Sequence, residues 1–146
     1  ILVSGTAGTG KTSLAAYFAS ESCKRNERCI YFAFEESPAQ IMRNMRSIGV
    51  NLRQYVDSGL LKFHASRPTL HGLEMHLVVM YKEILKFKPQ TVVLDPITNL
   101  ITVGTVSEIK SILIRLIDFL QKQQITVLFT SLSLNTVINE QTDENR

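Results

Sequence analysis

The chain is short of long apolar runs, of cysteine and of charge of one sign. No stretch of about eighteen uninterrupted apolar residues occurs, so the sequence offers no membrane-spanning helix. No charged-then-apolar leader is visible either, and the expectation is a cytoplasmic protein. Cys23 and Cys29 are the two cysteines, with charged residues between them. Their spacing matches neither a CxxC metal motif nor a disulfide framework, and they read as reduced thiols. His64, His71 and His76 share no i, i+4 spacing and no carboxylate framework, which argues against metal binding of the zinc type. A formal net charge of +3 suits an anionic ligand without singling out nucleic acid or a membrane surface. Lys24, Arg25 and Arg28, clustered around Glu27, read as solvated. No internal repeat or low-complexity tract interrupts the chain.

What is present has the size and make-up of one soluble domain: 146 residues, 45% apolar and 20% charged. Strand-like and helix-like segments alternate, which predicts an α/β fold with a mainly parallel sheet and helices on both faces. Residues 1–4, 29–34, 91–95 and 125–130 read as buried strands. Residues 60–65 alternate as a half-exposed strand toward a sheet edge. Ser37-Pro38-Ala39-Gln40 gives an N-cap, a first-turn proline and a reciprocal Gln, followed by Ile41, Met45 and Ile48 at helical spacing and a terminating Gly49. Asn51 repeats the capping pattern for a short helix ending before Gly59. Residues 73–87 carry an inner face of Leu73, Leu77, Met80, Tyr81, Ile84 and Leu85. Ser107-Glu108 reads as the cap of a last helix facing inward with Ile109, Leu113, Leu116, Ile117 and Leu120.

The strongest chemistry lies in Gly5-Thr6-Ala7-Gly8-Thr9-Gly10-Lys11-Thr12. Glycines let the backbone curl so that successive amides point at an anion. Lys11 supplies a point charge for β- and γ-phosphates, and the Thr12 hydroxyl suits Mg²⁺. An apolar strand precedes the octet and an Ala-rich helix follows, the context such a loop requires. Loop and trailing Ser13 are assigned to nucleotide binding, with ATP and Mg²⁺ expected. Ligands of parallel sheets bind beyond the carboxyl ends of the strands. There Asp95 ends an apolar strand and is placed to hold the metal opposite Thr12. Glu35 and Glu36 end another strand; either they form a solvated strand end, or one activates water for attack on the γ-phosphate. Hydrolysis needs such a base at this edge, and Asp95 is committed to the metal.

These residues resemble a family. The phosphate loop, the strand running into Phe34-Glu35-Glu36-Ser37-Pro38, and Arg43-Asn44 with Gly49 are similar to one lobe of the KaiC family of RecA-like P-loop ATPases. Leu60-Leu61-Lys62, Lys88-Pro89, Asp95-Pro96-Ile97 and Leu128-Phe129-Thr130 fit the same template, so residues 1–146 read as one partial domain. The resemblance implies that the strand ending at Thr130 lies between the loop strand and the Asp95 strand. It implies Mg-ATP between subunits of a hexameric ring, and the functional expectation is that the bound nucleotide controls ring assembly or a regulatory protein partner. It implies Glu35 as the catalytic glutamate with Glu36 its partner, and Thr130 with Ser131 at the position that senses the γ-phosphate. Pro96 departs from the family's usual Ser.

Two other readings stay open: a recombinase-like DNA-binding ATPase, and a nucleotide-sensing module with little turnover. The first lacks basic or aromatic residues in 104–107, and nucleic acid is not expected. Because the chain starts inside a strand and stops in the polar stretch 139–146, it reads as part of a longer protein. Autokinase activity is not legible in it.

Overall fold

Five segments rich in β-branched and aromatic residues become strands, and glycine, proline and capping residues set where helices start and stop. The computed structural model describes residues 1–67 and 72–132; His71 and the polar stretch 139–146 lie outside them. In chain order the elements are β1 (Leu2–Gly5), α1 (Lys11–Lys24), β2 (Cys29–Ala33), α2 (Pro38–Ser47), α3 (Arg53–Asp57) and β3 (Leu61–Ala65). They continue with α4 (Leu73–Phe87), β4 (Thr91–Asp95), a 3₁₀ helix (Ile97–Val103), α5 (Val106–Lys122) and β5 (Thr126–Leu132). The sheet order is β1-β5-β4-β2-β3, with every pairing parallel. The strand carrying Thr130 therefore lies between the loop strand and the Asp95 strand, as the resemblance implies.

The strand period of two splits the core into two layers. Ile30, Phe32, Val92, Leu94 and Phe129 face α4 and α5, joining Leu77, Ile84, Leu116 and Leu120. Cys29, Tyr31, Ala33, Val93 and Leu128 face the other way, onto Ala15, Ala16, Ala19, Ile41 and Met45 of α1 and α2. The three alanines are fully buried. Small side chains there let α1 lie close on the sheet, which aims its N-terminus across the strand ends.

Local rules account for most boundaries. Ser37 and Gln40 form the reciprocal capping box of α2. Gly49 takes the left-handed conformation (φ 88°) just past the end of that helix. Several expectations need correction. Asn51 does not cap α3, whose N-cap is Leu52 with no side-chain bond. The cap of α5 is Thr105, not Ser107: Thr105 Oγ1 accepts from the Glu108 amide at 3.2 Å and donates to its carboxylate at 3.1 Å. Ile48 and Leu85, grouped by spacing with buried faces, are 62% and 53% exposed. Ile48 falls at the C-cap of α2, beyond the last buried turn, and Leu85 lies at the margin of the buried stripe through Leu77, Met80 and Ile84. Among the described residues β1 is an edge strand with Leu2 half exposed, rather than an interior one. No helix among the described residues is long and apolar enough to cross a membrane.

Candidate functional site

The carboxyl ends of β1, β2 and β4 open onto one cavity of about 500 Å³. Its lining includes Gly8, Gly10, Lys11, Thr12 and Ser13 from the loop and α1, Glu35 and Glu36 after β2, and Asp95 at the end of β4. The structure thus brings together the loop and all three predicted acids.

Gly8 and Gly10 adopt φ values of 78° and 85°, which an L side chain rarely takes. Gly10 is also the N-cap of α1 and provides no side-chain bond, so no side chain caps that helix end. Such a terminus favours anions through its free N–H groups and its dipole. Thr9 Oγ1 donates to the Thr6 carbonyl at 2.8 Å and closes the turn. Lys11 Nζ reaches across it, donating to Thr6 O at 2.5 Å and Thr9 Oγ1 at 3.3 Å. The ammonium is therefore held at the loop by oxygens that a phosphate can replace.

Asp95 is the hub of the acidic side. It is only 4% exposed, yet three hydroxyls from three elements surround its carboxylate. Thr12 Oγ1 lies 3.3 Å from Oδ1, Thr130 Oγ1 donates to Oδ1 at 2.5 Å, and the Tyr31 hydroxyl donates to Oδ2. Burial, and then the adjacent Asp95 carboxylate, push the Tyr31 phenol well above its ordinary range. The Asp95–Pro96 peptide bond is cis. Thr130 is fully buried and absent from the cavity lining; Asp95 is its contact in the site.

The two glutamates differ. Glu35 is exposed at the cavity mouth. Glu36 is half-buried, and Asn44 Nδ2 approaches its Oε2 at 3.5 Å. Partial burial, then Asp95, then Glu35 hold the Glu36 carboxyl above the usual glutamate range. An acid that resists ionisation and one open to solvent stand next to each other.

The donor set fits a magnesium nucleotide: an ammonium, an uncapped helix start, a hydroxyl and a carboxylate, all on one cavity. Among the described residues, no group of three or more His, Cys, Asp or Glu is arranged for a metal ion, the three acids of the cavity included. Sequence reasoning missed Tyr31, which reads as one more apolar residue of a buried strand. Its hydroxyl was the available signal, since a buried phenol requires a partner.

A family model described as "ATPase: KaiC" matches residues 1–143. The circadian clock protein KaiC2 of Synechocystis sp. is 53% identical over 98% of this chain and 26% of its own length. The KaiC3 protein of the same organism is 40% identical over 92% of this chain and 27% of its own length. The circadian clock oscillator protein KaiC of Picosynechococcus sp. is 39% identical over 90% of this chain and 25% of its own length. The chain spans about a quarter of the length of these relatives. A phosphate loop facing an acid on a neighbouring part of the sheet, and a family match across almost the whole sequence, agree: this chain belongs to the KaiC family of ATPases.

Proposed function

We propose that this domain binds Mg-ATP in the loop 5–12 and hydrolyses it slowly, using the bound nucleotide to control the assembly of a ring or its engagement of a regulatory partner in the cytoplasm. One observation carries the reading: Lys11, Thr12, Asp95 and both glutamates border the same cavity. Lys11 and the first amides of α1 hold the phosphates. Thr12 and Asp95 hold the metal, which when bound neutralises charge on the β- and γ-phosphate oxygens. Glu35, accessible and next to the cavity mouth, accepts the proton of the attacking water. Glu36, partly buried beside Asp95 and Glu35 with its carboxyl held above the ordinary glutamate range, borders the base as its partner. Thr130, bonded to Asp95 and buried beneath the cavity, senses the γ-phosphate through that carboxylate. A role in nucleotide-dependent regulation accords with relatives named as circadian clock proteins, and the hexameric ring with ATP between subunits belongs to the same proposal.

The test compares Lys11→Ala with Glu35→Gln. The alanine variant is expected to lose ATP binding, and the glutamine variant to bind ATP while its turnover falls by about 10²–10⁴-fold. Turnover at the parent rate in Glu35→Gln would remove Glu35 from the role of base.

A further inference from the structure

Asp95 presents one carboxylate to a metal, and which way that carboxylate turns is decided from below. Oδ1 faces Thr12 and Thr130, whereas Oδ2 faces a group with no place in the phosphate loop or the acidic edge, the hydroxyl of Tyr31. We propose that Tyr31 is a positioning residue for the metal site: its phenol holds the Asp95 carboxylate so that Oδ1 stays turned toward Thr12. This rests on the reading of Thr12 and Asp95 as the metal pair.

The geometry follows from the sheet. In the β2–β4 register Ala33 pairs with Asp95 and Tyr31 with Val93, so Tyr31 lies two residues before the carboxylate on the adjacent strand. Two residues of strand rise about 6.6 Å, roughly the span from a tyrosine Cα to its hydroxyl, and side chains in strands lean along the strand. A tyrosine at this register therefore delivers its oxygen to the strand end. The ring has little freedom, being fully buried and packed against Phe63 with centroids 5.2 Å apart. Phenylalanine would fill the same space and leave Oδ2 without its donor. A carboxylate offers about four lone-pair directions, and three protein hydroxyls take up three of them. The contact from Thr12 to Oδ1 is the long one, at 3.3 Å, and can give way to the metal or a water bound to it, while the bonds from Thr130 and Tyr31 keep the carboxylate fixed in orientation. Partners of this kind behind a metal ligand typically alter metal affinity by about 10–100-fold.

The experiment uses Tyr31→Phe and reads binding rather than turnover. A fluorescent ATP analogue is titrated with and without Mg²⁺, and the Mg²⁺ concentration giving half-maximal enhancement of binding is compared with the parent's. Without metal the two proteins are expected to bind the analogue equally, because the loop is untouched. With metal, Tyr31→Phe is expected to need about 10-fold more Mg²⁺ and to reach the parent's affinity at saturation. An unchanged Mg²⁺ requirement overturns the proposal while leaving the functional reading intact; a parent that binds no nucleotide overturns both. If Tyr31→Phe does not fold, the parent labelled with 3-fluorotyrosine decides the matter. Its four tyrosine signals are assigned with Tyr17→Phe, Tyr55→Phe and Tyr81→Phe. The Tyr31 resonance is expected to shift when Mg²⁺ joins the bound nucleotide, and a resonance indifferent to metal refutes the coupling.

Discussion

Replacing Thr130 by valine keeps the shape of a fully buried side chain and deletes one hydroxyl, the one that donates to Asp95 Oδ1 at 2.5 Å. A hydrogen bond to a charged acceptor contributes about 1.5–3 kcal/mol, and burying a methyl in its place returns roughly 0.8 kcal/mol. The net loss is therefore about 1–2 kcal/mol. For 146 residues the unfolding entropy is about 0.3 kcal/mol per kelvin, so the melting temperature is expected to fall by about 5 °C. Thr130→Ser is the control, because it keeps the donor and loses a methyl, at about 1 kcal/mol. Melting temperature alone barely separates the two variants, whereas metal dependence separates them clearly. Serine retains the bond to Asp95 and is expected to need the parent's Mg²⁺ concentration for nucleotide binding. Valine leaves Oδ1 with only Thr12, at 3.3 Å, and is expected to need about tenfold more. The assay is thermal unfolding by circular dichroism, joined to Mg²⁺ titrations with a fluorescent nucleotide. Serine and valine weakening the metal response equally would show that packing, not the hydroxyl, matters, and the argument would fail.

Glu36 gives a stability test whose sign follows from linkage. Its folded carboxyl lies above the ordinary range, so the folded state binds that proton more tightly than the unfolded state, and stability falls as pH rises. Glu36→Gln is expected to melt higher than the parent near pH 7 in EDTA, with the advantage vanishing toward about pH 4. A difference independent of pH would contradict this. The cysteines give a second test. Burial raises the Cys29 thiol to about 12 and Cys23 to about 11. Both are expected to react slowly with a disulfide reagent at about pH 8 in the folded protein and rapidly in denaturant; fast native labelling would show the strand–helix layer to be open.

Much of this molecule was legible because its punctuation is strong. The capping box at Ser37 and the glycine that ends α2 follow from local chemistry, and β3 lies at a sheet edge as expected, although its burial grades from Leu61 to Ala65 rather than alternating. The loop and Asp95 were legible as motifs, since a phosphate cradle constrains residue type at every position. The place of β5 between β1 and β4 was not readable from periodicity, because five buried strands look alike to a hydrophobicity pattern; the resemblance supplied it. Tyr31 escaped for the same reason. In a strand whose every residue is buried, nothing local distinguishes a ring that packs from one that also bonds. At α5 the cue was present but misplaced, Thr105 standing three residues before Glu108 while Ser107 drew the assignment. The 3₁₀ helix after Pro96 carries no regular apolar period and went unread.

The hub around Asp95 gathers hydroxyls from positions 83, 64 and 35 residues away along the chain. Such a constellation has no local rudiment. No isolated hairpin or helix–loop unit contains more than a portion of it, and loop closure across these separations must be complete before any two members meet. The hub therefore forms only when α1 and the strands β2, β4 and β5 are docked together, and a ligand bound at Asp95 is expected to stabilise these elements as one cooperative unit.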